Sequence, residues 1–297
     1  MHWCVSRCAR GSAAGFVMPN DEPGWRMTGR RLFAHTQRWR MRYRLLILLP
    51  ALLVLPEIAR AQLTLSGGIE MLNWDEDTSP AVSESGPMLA FRVAYTQRAD
   101  SGFLLGYRGR IWAGTADYTG STLFGNTPVT GTTGYRGIDN EVQARFRSQL
   151  KNNYRRDFLA SLGLDLWTRE LSSIQSEDYT VIYARAGFEV DSVSPQSWLF
   201  ALGLKYPLWV REDAHLTSIG FDRNPELNPD GKVSFYGQAG YRLNRKWNVV
   251  GYFDSYRFSE SKGEPVNEIA RGFGPVIVFQ PASEMLTIGF RVERVIP

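Results

Sequence analysis

The residues best suited to acid-base chemistry in this sequence are Asp213 and His215, which are separated by a single position. An aspartate beside a histidine can orient the imidazole and hold it as a base that activates water. His215 is the only histidine after residue 61, so any histidine-dependent reaction of that part of the chain has to use it. The interpretation that we favour is simpler, namely that both are ordinary residues of a polar loop.

The spacing of Asp213 and His215 is similar to half of the catalytic site of the omptin proteases. Those enzymes also use a facing pair of aspartates in D-x-D spacing, and the pair available here, Asp75 and Asp77, falls in the first predicted long loop rather than the second. A deacylase of the lipid A type uses His-x-Ser, whereas here Ser218 stands one place too late. A surface hydrolase is therefore an alternative, and the interpretation that we favour is that the chain is not an enzyme.

Acidic residues lie close together at Asp75, Glu76 and Asp77 and again at Glu212 and Asp213. Carboxylate oxygens suit Ca²⁺, which could bridge them to the phosphates of a surface lipid. We interpret these residues as solvated loop tips. After residue 61 the sequence contains no cysteine, no His/Cys cluster, no phosphate-binding glycine loop and no dinucleotide fingerprint, so it predicts neither a metal site nor a cofactor.

The positive net charge of the chain belongs to its first part. The whole sequence of 297 residues has 34 basic and 30 acidic residues and a net charge of +4. Residues 1–61 contain ten arginines and three acidic residues, together with both cysteines. The remainder has 24 basic and 27 acidic residues, a net charge of −3, so the charge does not indicate nucleic-acid binding.

A secretory signal peptide is predicted at residues 41–61. The basic segment MRYR (41–44) precedes the apolar run LLILLPALLVL (45–55), and ARA (59–61) forms an A-x-A cleavage site before Gln62. The apolar run is too short to cross a hydrocarbon core of about 30 Å. We expect the arginine-rich residues 1–40 to be an unstructured or untranslated extension upstream of a true start at Met41.

Residues 62–297 show alternating apolar and polar residues rather than a helical period. Ten such segments follow one another, and a further apolar run lies at 273–279. The predicted connections are short near 98–101, 149–155, 191–196 and 244–246, and long near 75–86, 115–136, 170–178, 211–231 and 258–268. Short turns at one rim and long loops at the other are typical of an outer-membrane barrel, although a soluble sandwich is the alternative.

Aromatic residues near the segment ends fit the interfacial girdles of such a barrel. They are Trp74, Tyr95, Tyr107, Trp167, Trp198, Tyr206 and Trp247. The glycine- and threonine-rich tract 115–135 has few charges and is interpreted as a mobile surface loop.

The segments GLKYP (203–207), NPELNPDG (224–231) and QPAS (280–283) resemble parts of small outer-membrane β-barrels of Gram-negative bacteria, without pointing to one characterised family. The resemblance implies an all-β, antiparallel, up-and-down barrel in the outer membrane, in contact with membrane lipid and lipopolysaccharide and inserted by the barrel assembly machinery. Because such barrels have an even number of strands, we expect ten, with 273–279 as part of an extracellular extension, and twelve as the alternative. These barrels commonly end on an aromatic residue, whereas Phe290 is followed here by seven residues.

The polar face of the alternating segments carries nearly balanced charge. The residues predicted to face the lumen are Arg92, Arg108, Arg110, Arg145, Arg147, Arg185, Lys205, Arg242 and Arg291, with Glu70, Asp139, Glu141, Asp165, Glu189, Asp254 and Glu293. The side chains of a barrel this small can fill its interior, and buried charges are far less costly when they are paired. We therefore expect an internal ion-pair network, with a narrow, slightly anion-selective pore as the alternative.

The function expected from these observations is a structural or surface-interaction role, in which long extracellular loops contact an external ligand. A surface hydrolase using Asp213 and His215 and a narrow channel are the competing classes. The barrel itself does not choose among them, because function in such proteins lies in sites carried by the fold.

Overall fold

The computed structural model describes residues 61–121, 127–150, 153–192, 194–270, 272 and 274–296. The predicted extension 1–40 and all but the last residue of the predicted signal peptide lie outside these residues. No helix in the described part of the chain is long and apolar enough to cross a membrane.

Ten long strands form the wall of the molecule. They are β1 Ala61–Glu76, β2 Val82–Gln97, β3 Gly102–Ser121, β4 Pro128–Gln149, β5 Tyr154–Glu170, β6 Ser176–Ser192, β7 Ser197–Ala214, β10 Ser234–Arg242, β11 Trp247–Phe258 and β14 Ser283–Ile296. Four short strands lie in the connections: β8 Glu226–Leu227, β9 Gly231–Lys232, β12 Glu264–Glu268 and β13 Gly274–Val278.

The wall is a closed antiparallel barrel. Each long strand pairs with its neighbours in the chain, β7 pairs with β10, and β14 pairs with β1 along a register that runs from Leu63↔Ile296 to Glu76↔Ser283. The prediction of an all-β, up-and-down barrel with ten strands is confirmed. The described part of the run 273–279 forms β13, which pairs with β12 in a separate two-stranded sheet, as expected for an extension outside the wall.

The two ends of the barrel differ in their connections. At the short-turn end the strands are joined by residues 98–101, 150–153, 193–196 and 243–246. At the long-loop end they are joined by 77–81, 122–127, 171–175, 215–233 and 259–282. The predicted loops at 75–86, 115–136 and 170–178 were too long, because strand pairing continues well past the point where the outward face stops being apolar.

A belt of exposed apolar side chains surrounds the wall. Its members include Leu65, Ile69, Leu89, Phe91, Phe103, Leu105, Ile111, Val142, Phe146, Phe158, Leu162, Phe188, Phe200, Leu202, Phe235, Ile288 and Phe290. On β3 the outward residues are apolar up to Ala113 and then become Thr115, Asp117 and Thr119. Apolar residues outside and polar residues inside are the pattern of a transmembrane barrel, and here the wall extends beyond the belt toward the long loops.

Two of the aromatic residues assigned to the girdles lie elsewhere. Tyr206, Trp198 and Trp247 are exposed on the outward face, as predicted, but Trp74 and Trp167 are buried inside the barrel. The error arose because both tryptophans lie near strand ends, whereas their strand phase places them on the inner face.

A small apolar core lies outside the wall at the long-loop end. The described residues of 215–233 and 259–282, which we call the cap, surround this core. Its buried members are Ala214, Leu216, Phe221, Leu227, Val266, Val276 and Val278. Backbone hydrogen bonds from Ile269 N to Gly220 O (2.8 Å) and from Asp222 N to Asn267 O (3.0 Å) join the two halves of the cap.

Candidate functional site

All sixteen residues predicted to face the lumen do so, and most of them form ion pairs. The pairs are Glu70 with Arg92 and Arg110, Glu141 with Arg108 and Arg185, Asp254 with Arg185 and Lys205, Glu189 with Arg145, and Glu293 with Arg291. Representative distances are 2.6 Å from Arg145 Nη1 to Glu189 Oε2 and 3.3 Å from Arg185 Nη1 to Glu141 Oε2. Most of these contacts join the same strand, adjacent strands or strands two apart in the wall, and Arg185 with Asp254 spans three, so charge is compensated along the inner surface of the wall.

Two predicted members of this network are not ion-paired. Asp139 and Asp165 lie opposite each other in the β4/β5 register. In the described part of the chain neither has a basic partner within 4.0 Å, and each instead accepts a hydrogen bond from a tyrosine hydroxyl: Asp139 from Tyr183 (2.7 Å) and Asp165 from Tyr256 (3.1 Å). Tyrosine hydroxyls thus contact these two carboxylates, in place of the basic partners that the sequence predicts.

Sequence reasoning also missed carboxylates that complete the network. Arg147 pairs with Asp157 at 2.7 Å, and Arg242 pairs with Asp191 at 3.3 Å. Asp191 lies in the short connection predicted at 191–196, and Asp157 lies two residues after the connection predicted at 149–155. Continuing the alternation to the strand ends would have placed them inside.

The short-turn half of the lumen contains a cavity of about 680 Å³, which we call the vestibule. Its lining includes Arg98, Arg145, Arg155, Arg242 and Arg245. Beyond it, toward the middle of the barrel, lies a recess of about 20 Å³.

An aromatic layer fills the barrel on the long-loop side of these ion pairs. Trp167 stacks on Tyr179 with ring centroids 4.9 Å apart, and Trp74 meets the same tyrosine edge-on at 5.6 Å. Tyr256 lies 5.8 Å from Trp167 and 5.7 Å from Phe258. These side chains come from β1, β5, β6 and β11 and are almost completely buried, so they fill the interior of the barrel at this level.

A group of buried charges lies on the long-loop side of the aromatic layer. Arg169 contacts Glu76 (2.8 Å), Glu177 (3.0 Å) and Glu84, and Glu212 is fully buried beside them. We call these five residues the Arg169 cluster. Four carboxylates thus surround one guanidinium, and neither oxygen of Glu212 has a hydrogen-bond partner among the described residues.

Neighbouring aromatic residues complete the Arg169 cluster. Trp74 Nε1 donates to Glu76 at 2.8 Å, the Tyr135 hydroxyl donates to Glu84 at 2.6 Å, and the Tyr179 hydroxyl donates to Glu177 at 3.2 Å. The predicted interpretation of Glu76 and Glu212 as solvated loop tips is wrong, because β1 and β7 extend far enough to place both inside.

The Arg169 cluster lies beyond the apolar belt, since the outward residues at its level include Arg136, Glu170 and Asp178. Burial raises the pKa of Glu177 to about 7, and the neighbouring Glu76 and Glu84 act in the same direction. Burial and the neighbouring Glu177 raise the pKa of Glu212 well above its usual value. The cluster therefore holds protons at pH values where exposed glutamates have lost them.

His215 lies outside the lumen, just after β7. Its Nε2 is 2.9 Å from Asp178 Oδ2, and the Thr168 hydroxyl donates to the other oxygen of that carboxylate at 2.6 Å. The hydrogen bond with Asp178 raises the pKa of His215, while burial raises the pKa of Asp213. His215 is thus a partly exposed imidazole whose main partner is an aspartate on the outer face of the wall.

The structure does not assemble the hydrolase sites that the spacing suggested. Asp75 and Asp77 are exposed near the end of β1, which lies four strands from β7 in one direction around the barrel and six in the other. Asp75 and Asp213 both lie on the outer face of the wall, because the residues flanking them in the strands are the buried ones. On strands this far apart around the barrel, their carboxylates therefore point away from each other. The Ser218 hydroxyl donates to the backbone carbonyl of His215 at 2.6 Å.

The acidic residues considered as Ca²⁺ ligands lie at different places around the barrel and do not form one group. Asp75 and Asp77 are on one side of the barrel, Asp213 is on another, and Glu76 and Glu212 point inward. In the part of the chain that the structure describes, no group of three or more Asp, Glu, His or Cys side chains is arranged to hold a metal ion.

No protein-family model matches the chain, and no curated protein matches it. Among solved structures it is similar to the outer membrane protease OmpT from Escherichia coli, with 10% sequence identity, a TM-score of 0.49, and coverage of 80% of this chain and 96% of that one. It is also similar to the COG4313 outer membrane channel from Pseudomonas putida F1, with 11% identity, a TM-score of 0.38, and coverage of 78% and 95%. A third is the attachment invasion locus protein Ail of Yersinia pestis, with 6% identity, a TM-score of 0.23, and coverage of 80% and 99%.

Proposed function

We propose that this protein is an outer-membrane barrel with a closed lumen, and that it has a structural or surface-contact role carried by its long-loop end. The observation that supports this most directly is the aromatic layer of Trp74, Trp167, Tyr179, Tyr256 and Phe258, which leaves no described passage between the two ends of the barrel. A conducting barrel needs a continuous hydrated path along its axis.

Location in the outer membrane is supported by the apolar belt. Side chains such as Phe91 and Phe103 expose about 61% and 66% of their surface, and in water a continuous belt of this kind would drive aggregation. In an outer membrane the belt contacts lipid, the short turns face the periplasm, and the long loops face the lipopolysaccharide layer. Insertion then requires the barrel assembly machinery and an export signal such as the one predicted at 41–61.

The cap is the part of the long-loop end best suited to contact an external partner. It has its own buried core and inter-loop hydrogen bonds, so it presents a defined surface rather than separate flexible loops. Ile174 and Ile269 are large apolar residues of the long connections and expose 61% and 65% of their surface. Exposed apolar side chains on a rigid scaffold are typical of protein contact surfaces.

Planar-bilayer recording of the purified protein tests the closed lumen. We expect no stable openings from the wild type. The double variant Trp167→Ala/Tyr179→Ala removes two stacked rings from the layer and is expected to conduct, whereas Trp198→Ala, which changes an exposed outward tryptophan, is expected to stay silent. Stable wild-type openings would contradict the proposal.

A narrow channel is the second candidate, and the vestibule is the observation that favours it. The cavity of about 680 Å³ already forms half of an aqueous path. A channel would require the aromatic layer to move aside, so the same bilayer recording distinguishes the two functions.

A further inference from the structure

We propose that the vestibule binds a small multivalent oxyanion, a molecule carrying phosphate or carboxylate groups, which enters from the short-turn end. This inference concerns the opposite end of the barrel from the cap and does not depend on a surface-contact role.

The charge of the vestibule favours an anion. Eight arginines line it, against the five acidic residues Asp100, Asp157, Glu189, Asp191 and Glu293. Arg98 and Arg245 have no ion pair in the described part of the chain, so the excess of positive charge is available at the rim. A cavity with walls of low dielectric constant focuses such a field and attracts ions of opposite sign.

The recess at the inner end of the vestibule supplies hydrogen-bond donors. Four arginines, Arg92, Arg108, Arg185 and Arg291, line this space of about 20 Å³. Guanidinium groups of Arg92 and Arg291 lie over the Tyr252 ring, at 4.2 and 4.8 Å from its centroid, so they approach each other across one aromatic side chain. Each of the four arginines already contacts a carboxylate of the protein, so what the recess offers an anion is the remaining N–H groups of these guanidinium groups.

Some of these donors have no acceptor. The Nε atoms of Arg92 and Arg185 are buried and have no hydrogen-bond partner among the described residues. Two carboxylates also line the recess, but Asp254 is already paired with Arg185 and Lys205, and Glu189 with Arg145. The recess is therefore lined by two arginines that each keep one unsatisfied donor.

The size and closure of the vestibule favour a small ligand that enters and leaves by the same route. Its volume of about 680 Å³ lies within the usual range of about 300–1,000 Å³ for small-molecule sites. The planar, forked guanidinium group matches the geometry of phosphate and carboxylate oxygens. Because the aromatic layer closes the inner end, a long chain could not thread through.

Isothermal titration of the full barrel in a neutral detergent tests the inference, with pyrophosphate and citrate as separate probes and spermidine as a cationic control. We expect both anions to bind, with affinity that falls as salt rises, and no binding of spermidine. A preference for one anion identifies whether phosphate or carboxylate chemistry is recognised.

Variants locate the site. Arg98→Gln/Arg245→Gln removes rim charges that have no described ion pair and is expected to weaken binding about 3- to 10-fold, while Arg291→Gln is expected to weaken it at least 10-fold. The matched control Arg223→Gln, in the cap, is expected to leave affinity unchanged. Heat-modifiable gel mobility verifies that each variant is folded. Absence of binding by the folded wild type, or affinity equal in all variants, would overturn the inference without bearing on the bilayer result.

Discussion

The two halves of the lumen differ in how they compensate buried charge and in how completely side chains fill them. In the short-turn half, arginines outnumber carboxylates, the ion pairs join nearby strands along the wall, and a cavity remains. In the long-loop half, three carboxylates contact Arg169 and a fourth, Glu212, is buried beside them. Aromatic rings fill the barrel between this cluster and the middle of the lumen. Both halves are lined by inward residues of the same strands. The comparison shows that strand alternation decides which residues face inward, whereas side-chain size and charge decide whether the interior is open or sealed.

The largest expected effect is that of Arg169→Met, because it removes the only cation that contacts Glu76, Glu84 and Glu177 among the described residues. Breaking a buried ion pair costs about 3–5 kcal/mol, and here one arginine serves three carboxylates. Chemical unfolding in detergent should show a loss of at least this size. The control Arg136→Gln, which changes an exposed residue paired with Glu170, should cost less than about 1 kcal/mol. Equal losses would mean that the cluster has no special role.

Trp167→Ala should have the next largest effect. Truncating a buried tryptophan typically costs about 3–5 kcal/mol because of lost burial and the cavity left behind. Trp167 is 3% exposed and stacks on two tyrosines, while Trp198 is 54% exposed on the outward face. Unfolding of Trp198→Ala in the same detergent should therefore show a much smaller loss. A small loss for Trp167→Ala would indicate that the aromatic layer is loosely packed.

Glu212→Gln should stabilise the protein at neutral and alkaline pH. Since burial raises the folded-state pKa of Glu212 and Glu177, their contribution to stability is complete below about pH 4.5 and is lost as pH rises through the raised values. Removing the charge of Glu212 should recover about 1–3 kcal/mol at pH 8 and little at pH 4. Thermal unfolding of both proteins across this pH range measures the difference. The same gain at both pH values would show that Glu212 is not protonated in the folded protein.

The smallest expected effect is that of His215→Ala. The Asp178 contact raises the folded-state pKa of His215, so its stabilising contribution is present below about pH 6.5 and is lost as pH rises through the raised pKa. A partly exposed pair of this kind contributes about 1 kcal/mol or less. The variant should therefore be slightly less stable than the wild type at pH 5.5 and equal to it at pH 9. Loss of a surface protease or esterase activity in this variant would instead support the hydrolase alternative.

Much of the fold could be predicted from the sequence, because a period of two residues assigns every residue of a strand to one of two faces. The ten wall strands and all sixteen lumen residues followed from this rule. The rule does not set the distance between opposite walls, so it could not show that Trp167 meets Tyr179 or that Asp139 and Asp165 meet tyrosines. It also failed at Glu76 and Glu212. Near these strand ends the residues of both faces are polar, so the sequence no longer shows an alternation of apolar and polar residues.

The pairing of β1 with β14 has a consequence for biogenesis. Fourteen residue pairs join the first and last strands of the wall, from Leu63↔Ile296 to Glu76↔Ser283. The seam therefore joins segments more than 200 positions apart, and it cannot form until synthesis of the entire wall is complete. Until then both margins present unpaired amide and carbonyl groups, which favour association with the edges of other chains.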